Sequence, residues 1–464
     1  MNRLRMANPL KLVMDRNLNG ERPHFRPEKR SINPYRVIIL LGLILGGIWI
    51  LMGIDRGDVQ PLFQPTPTPT RTANSYVMEG EAQFNAGSLG GAIAAYQQAV
   101  IVEPNNSHAW AELSRIQTYS SSLLSTNEER YDRLTQARES IEQATALDPD
   151  NAEVQAVRSF VLDWYASNPL VPPKESQSAL NDAEAAAIRA LQLDNENALA
   201  LAFLAEILVD QQKWSQAEET IKQAVAIEAE SMDVQRVYGY VLESLGQYRL
   251  AIEKYQEAVK IQPNLTFLYI FIGRNFRSLE VHNRALEEFE KAAQINEQLG
   301  VQDPVPYVEI AKTYSRDGEF FAAALNAEKA IRINPYNPNT YGQLGIIYTK
   351  ARNFEGAQPV LKCAVLGCSA EENQVAIEIL GEGVAVNGLP LTSGTVAFYY
   401  AQYASVLAAL SRPNQNYCAE ALQVLNVVRA SYPDDPTFNQ IIEENIAICD
   451  LVDQRSTPEI TPSP

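Results

Sequence analysis

The stretch Met232–Leu265, MDVQRVYGYVLESLGQYRLAIEKYQEAVKIQPNL, decides how this chain is read. Its first half carries Tyr238, Gly239 and Leu242 on one face of a helix. Gly246 interrupts the pattern and predicts a turn, after which Tyr248 restarts it. The second half sets Ala251, Tyr255 and Ala258 on one face and ends before Pro263, because the residue preceding a proline is pushed out of the helical region. Two amphipathic helices joined by a short turn are expected. Small residues at Gly239, Ala251 and Ala258 let them approach closely, and the larger ones fill the gaps.

Working outward, the pattern recurs at a period of about 34 residues on both sides. Upstream lie Ala73–Asn106, Ser107–Asn151, Ala152–Asn197 and Ala198–Ser231; downstream lie Thr266–Leu299, Pro304–Asn337 and Pro338–Glu371. Pro338–Glu371 shows Tyr341, Leu344, Gly345, Tyr348, Phe354, Ala357, Leu361 and Ala364. Pro304–Asn337 shows Tyr307, Ile310, Ala311, Tyr314, Gly318, Phe320, Ala323, Ala330 and Pro335. The copies Ser107–Asn151 and Ala152–Asn197 are stretched, with insertions expected within Tyr119–Leu134 and Ala166–Ser178, between their two helices. A degenerate ninth unit uses Thr395–Arg412 and Ala419–Tyr432, and Asp435–Val452 reads as a capping helix.

These copies resemble the tetratricopeptide repeat (TPR) family, whose Trp, Leu-Gly, Tyr, Ala, Phe, Ala, Pro pattern they match in spacing. The expected fold is all-α: an α-solenoid of about eight to nine TPR helix pairs over residues 73–452, preceded by a single transmembrane helix. The resemblance implies a right-handed superhelix whose inner wall is built by first helices, with protein binding as its general activity. It names no partner. It also implies which residues line that wall: Arg236, Tyr240, Phe267, Ile270, Arg274, Arg277, Lys312, Arg316, Ile346 and Lys350. Glu243 and Glu309 are the acids expected beside them. Six bases among apolar neighbours would suit a protein or peptide partner with acidic segments, since arginine grips a carboxylate in two places. As exposed wall residues, Arg274 and Arg277 are expected to tolerate reversal to Glu within about ±0.5 kcal/mol.

Before the repeats, residues 37–54 read VIILLGLILGGIWILMGI. As a helix this run spans about 27 Å, near the thickness of a bilayer core. A cleaved signal peptide is the rival reading, but the basic segment before the run is long and no small-residue cleavage site follows it. Residues 1–36 hold nine Lys/Arg against three acids, whereas Asp55, Arg56 and Asp58 flank the other side. The positive-inside rule then makes 1–36 a cytoplasmic tail and puts the repeats outside the cell membrane, as a single-pass protein. Residues 55–72 contain Pro65-Thr66-Pro67-Thr68-Pro69-Thr70, expected as an extended spacer, and 453–464 are expected to be a disordered tail.

The chain of 464 residues carries a net charge of −18, and the basic tail makes the remainder more acidic still. That excludes nucleic acid as an expected partner. His24, His108 and His282 lie far apart, and no CxxC, HExxH, GxSxG or phosphate-binding loop is present. No enzyme activity, metal or cofactor is therefore expected. The two CxxC pairs of some envelope TPR proteins with a metal module are missing. The same outline of anchor and outward repeats also serves translocon-associated and envelope-assembly subunits.

The four cysteines predict two disulfides. Cys418 and Cys449 are equidistant from the turn at Tyr432–Pro436, so in an antiparallel helix pair they lie side by side. Gly367 reads as the left-handed residue just past a helix end, which puts Cys363 and Cys368 at the two places that touch in such a cap.

Overall fold

The computed structural model describes residues 33–56, 71–377 and 381–456. Residues 1–70 and 71–464 form two separate compact units. The first contains α1 (Pro34–Asp55), which has the stretch Pro34–Gly53, of mean hydropathy 2.3 and with none of it buried. It is long and apolar enough to cross a membrane, a property shared by signal sequences. The basic tail as far as residue 32, the Pro-Thr spacer at 57–70 and the tail at 457–464 lie outside the described residues.

The second unit is a run of helix pairs. They are α2 (Ala73–Asn85) with α3 (Leu89–Val102), α4 (Ser107–Ser121) with α5 (Asn127–Leu147), α6 (Ala152–Ala166) with α7 (Pro173–Leu193), and α8 (Ala198–Asp210) with α9 (Trp214–Ile227). Then come α10 (Met232–Ser244) with α11 (Tyr248–Ile261), α12 (Thr266–Ser278) with α13 (His282–Leu299), α14 (Val305–Asp317) with α15 (Phe320–Ile333), and α16 (Pro338–Lys350) with α17 (Phe354–Val365). A short α18 (Ala370–Ala376) breaks the phase before α19 (Gly394–Leu410), α20 (Cys418–Ser431) and α21 (Pro436–Ser456). Among the described residues no strand is formed, only two isolated bridges.

Local chemistry explains the pairing. First helices start on polar caps: Asn106, Asn151, Asn197, Ser231, Asn337 and Ser393 each accept a backbone N–H that the helix leaves unpaired. Within a pair the approach is close. A Cβ on Gly239 would lie 2.7 Å from the Tyr255 ring, and one on Gly273 would lie 2.4 Å from the Phe289 ring. Successive repeats are tied by a recurrent bond. A side chain early in one first helix donates to the carbonyl six residues before it: Trp110 to Pro104 at 2.9 Å, Gln155 to Pro149 at 2.8 Å, Gln235 to Ala229 at 2.7 Å, Tyr269 to Pro263 at 2.7 Å and Tyr341 to Pro335 at 2.8 Å. Asn439 of α21 repeats it onto Pro433 at 2.9 Å, so the last helix occupies the place of a further first helix. That helix runs to Ser456, so residues 453–456, expected in a disordered tail, are helical.

The insertions lengthen the second helices: α5 and α7 have 21 residues, against 14 in α9 and α11. The loop before α5 also reaches far along the chain. Ser125 Oγ accepts from Asn334 at 2.8 Å, and its carbonyl accepts from Asn337 at 3.1 Å. In parallel, Asn85 Oδ1 accepts from Gln262 at 2.8 Å, 177 residues away. The coil of repeats thus returns on itself. In its middle the Tyr119 and Phe267 rings stack at 5.2 Å, Phe160 stacks on Phe203 at 4.6 Å, and Trp164 meets Phe160 edge-on at 5.2 Å. Large aromatic surface on the inner faces of α4, α6, α8 and α12 is removed from water by this closure.

Both expected cysteine pairs are joined. Cys363 meets Cys368 with Cα atoms 4.8 Å apart, and Cys418 meets Cys449 at 5.5 Å. Gly367 has φ +82°, as the cap requires. Unlike the usual cap, the Cys368 N–H bonds across to Val386 O at 2.9 Å, drawing the following loop onto the helix end.

Candidate binding pocket on the inner wall

Five of the ten residues expected on the wall, Arg236, Tyr240, Phe267, Ile270 and Arg274, lie around one cavity of about 400 Å³. First helices α4, α6, α8, α10 and α12 supply most of its lining, and the segment Asp303–Val305 closes one side. The other five do not reach it. Arg277 and Lys312 are half-buried beside Glu309, Ile346 packs on the C-terminal core, and Arg316 and Lys350 are exposed.

The expectation of an open, solvated basic wall is corrected at several positions. Arg236 is only 2 % exposed. It donates through both terminal nitrogens to Glu206, at 2.8 and 2.6 Å, and stacks near the Phe160 and Tyr119 rings. Phe267 and Ile270 are buried because the coil closes over them. Arg274 and Arg277 both donate to Glu309, which is 3 % exposed, with Lys312 Nζ 3.3 Å away. Burial alone would raise the Glu309 pKa, but Arg274, Lys312 and Arg277 together hold it well below the usual carboxylate range. Reversing Arg274 and Arg277 to Glu would crowd carboxylates around Glu309. The pair is therefore not a neutral surface change.

The acids beside the wall are also more numerous than Glu243 and Glu309. Glu206, Asp210 and Asp163 line the cavity with Glu243, and Asp303 stands at its edge. Asp210 accepts from Tyr240 OH at 2.6 Å and from Ser167 Oγ at 3.0 Å. Glu243 accepts from Tyr255 OH at 2.9 Å and Asn275 Nδ2 at 2.8 Å. Asp163 is 1 % exposed and accepts no hydrogen bond among the described residues, with Oδ1 sealed and unpartnered. Burial first, then the charges of Asp210 and Glu206, push its carboxyl well above the usual range. Burial raises Asp210 in the same way. Asp303 is pushed up to about 7 by burial, although Val305 N and Asn296 Nδ2 donate to it at 2.9 and 3.0 Å.

The sequence carried a signal for these acids. Asp163 interrupts the apolar run Phe160-Val161-Leu162-Asp163-Trp164-Tyr165, and Glu206 does the same inside α8. An acid set among apolar residues on the packed side of its helix has no solvated face to occupy.

A second cluster ties the coil's closure. Arg115 of α4 holds Glu112 at 2.7 Å and Asp233 of α10 at 3.1 Å, and Tyr119 OH also donates to Asp233. Among the described residues no group of three or more His, Cys, Asp or Glu is arranged to hold a metal ion.

Two family models described as tetratricopeptide repeat match this chain, at residues 176–239 and 237–265. The chain carries tetratricopeptide repeats. The matched TPR segment contains α8 to α11, and so Glu206, Asp210, Arg236 and Tyr240 of the pocket. TPR arrays generally serve as non-enzymatic scaffolds suited to protein interaction. No curated protein matches the chain. Among solved structures it is similar to a thermophilic TPR protein of Thermus thermophilus, with 17% identity over 45% of this chain and 99% of that one, at TM-score 0.36. A TPR protein of Parabacteroides merdae gives 16% identity over 59% of this chain and 98% of that one, at TM-score 0.35. YrrB, a TPR protein described as having an unusual peptide-binding site, gives 20% over 46% and 97%, at TM-score 0.30.

Proposed function

We propose that this protein is a membrane-anchored TPR scaffold that holds a protein partner outside the cytoplasmic membrane. The observation that carries this reading is the pairing of a wholly unburied apolar helix, Pro34–Gly53, with an array of TPR helix pairs. The charge asymmetry around that helix supports a cytoplasmic N-terminus. Two disulfides support an oxidising compartment for the repeats. The docking surface is the inner face of α14 and α16, where Arg316 and Lys350 are exposed and Ile346 is half-buried. Its partner presents an acidic segment, because Arg316 and Lys350 are exposed bases of this face.

The test uses intact spheroplasts. Added protease is expected to digest the repeats and spare the N-terminal tail; protection of the repeats overturns the topology. A photo-crosslinker at Lys350 should capture a partner that one at Lys222, on the second helix α9, does not. Arg316→Glu with Lys350→Glu should abolish the capture, and undiminished capture overturns the docking surface.

A further inference from the structure

The cavity of the inner wall stands apart from that docking surface. Its charges do not balance internally. Three bases line it: both terminal nitrogens of Arg236 are taken by Glu206, Arg274 donates to Glu309, and Arg130 donates to the Leu124 carbonyl. Asp163 and Asp210 remain, on adjacent first helices, with no cation bonded to either among the described residues. Asp163 is buried, lines the cavity and offers Oδ1 to no partner among the described residues. A buried carboxylate without a partner is expensive to retain unless something occupies the space beside it. Trp164, Tyr240, Phe267 and Phe271 supply aromatic faces in the lining, beside polar residues such as Ser121 and Asn168. Aromatic faces favour a cation whose remaining surface is apolar. The volume of about 400 Å³ falls in the range of small-molecule sites.

We infer that this cavity is a recognition site for an alkylammonium group, received by the carboxylates of Asp163 and Asp210 and packed against the aromatic wall. The ammonium supplies the countercharge that the chain withholds from Asp163. Burial and the neighbouring acids raise both carboxyls, as expected where the chain supplies them no countercharge of their own. The group is carried either by a free aliphatic diamine or by a lysine side chain of a peptide.

The test titrates the full-length protein in detergent micelles with cadaverine, with the peptide acetyl-Gly-Lys-Gly-amide and with sodium glutamate, followed by calorimetry and by tryptophan fluorescence. Trp164 lines the cavity and donates to Glu206 at 3.1 Å, so its emission reports occupancy. Saturable binding of cadaverine or of the lysine peptide is expected, the tighter of the two naming the source. Asp163→Asn, which keeps shape and removes charge, should weaken it by about tenfold or more, as loss of a charged hydrogen bond does. Asp210→Asn should also weaken it, and Glu218→Gln on α9 should not. Should Asp163→Asn lower the melting temperature, Asp210→Asn carries the comparison. Absence of saturable binding by both amines overturns the site, as does binding unaffected by either Asp variant, or glutamate binding more tightly than cadaverine.

Discussion

Two acid clusters on the same inner wall are built to opposite rules. Glu309 on α14 is buried but receives Arg274, Arg277 and Lys312, and its carboxyl is held ionised. Asp163 on α6 is as deeply buried, receives no hydrogen bond among the described residues, and its carboxyl is pushed well above the usual range. First helices of one repeat type supply both, Glu309 near the start of α14 and Asp163 near the end of α6. The difference lies in what neighbouring first helices contribute: two arginines from α12 in one case, Glu206 and Asp210 from α8 in the other. A satisfied buried ion cluster holds repeats together. An unsatisfied one at a cavity is poised for something from outside.

The largest expected effect comes from breaking the satisfied cluster. Arg277→Glu puts a carboxylate against Glu309 and should cost about 3–5 kcal/mol, the range for leaving a buried charge unpaired. Arg277→Gln, which leaves Arg274 and Lys312 on Glu309, should cost clearly less in urea unfolding. An equal loss would mean that packing, and not charge, fixes this end of the wall.

A staple indifferent to charge provides the reference. Replacing Cys418 and Cys449 by Ser frees α21 from α20 and should cost about 2–4 kcal/mol. This loss should be the same at pH 5 and pH 8, whereas the effect of changing Asp303 should not.

The two rules also give opposite pH dependences. The depressed Glu309 contributes stability that is present above the unfolded carboxylate value of about 4.3 and is lost as pH falls below it. Asp303, raised to about 7 from the ordinary 3.8, contributes stability present below the unfolded value and lost as pH rises towards 7. Asp303→Asn should therefore match the parent near pH 4 and melt at a higher temperature above pH 7. A parallel shift of both melting curves across that range would contradict the assignment.

The smallest effect sharpens the contrast. Asp163→Asn removes no hydrogen bond, so stability should hold or rise by about 1 kcal/mol, whereas Glu309→Gln should clearly destabilise. Equal destabilisation by the two would erase the distinction between the clusters.

Most of the helix pairs were legible at 34-residue spacing because their signals are local. Gly246 marks a turn with φ +73°, as its position predicts. Gln212, Glu280 and Arg352 take the same left-handed turn with φ near +60°, and no glycine announced them. The two cysteine pairs were legible as well, one from helix-cap spacing and one from symmetry about a turn. The pocket was legible only in part. Spacing put Arg236, Tyr240 and Arg274 on the inner face, but gave no hint that Glu206 would consume Arg236 or that Asp163 would be left over.

The amino-acid sequence by itself determined the apolar first helix, the helix pairs, their caps and the small-residue contacts within each pair. Each of these depends on residues within one repeat or its neighbour, where chain connectivity sets the geometry. The tertiary structure alone decided which inner-wall residues meet water. That outcome depends on a small rotation per repeat, summed over many repeats, until Asn85 meets Gln262 and the aromatic faces of α4 and α12 stack. A rotation that accumulates over such a distance leaves no mark on the spacing of any single repeat.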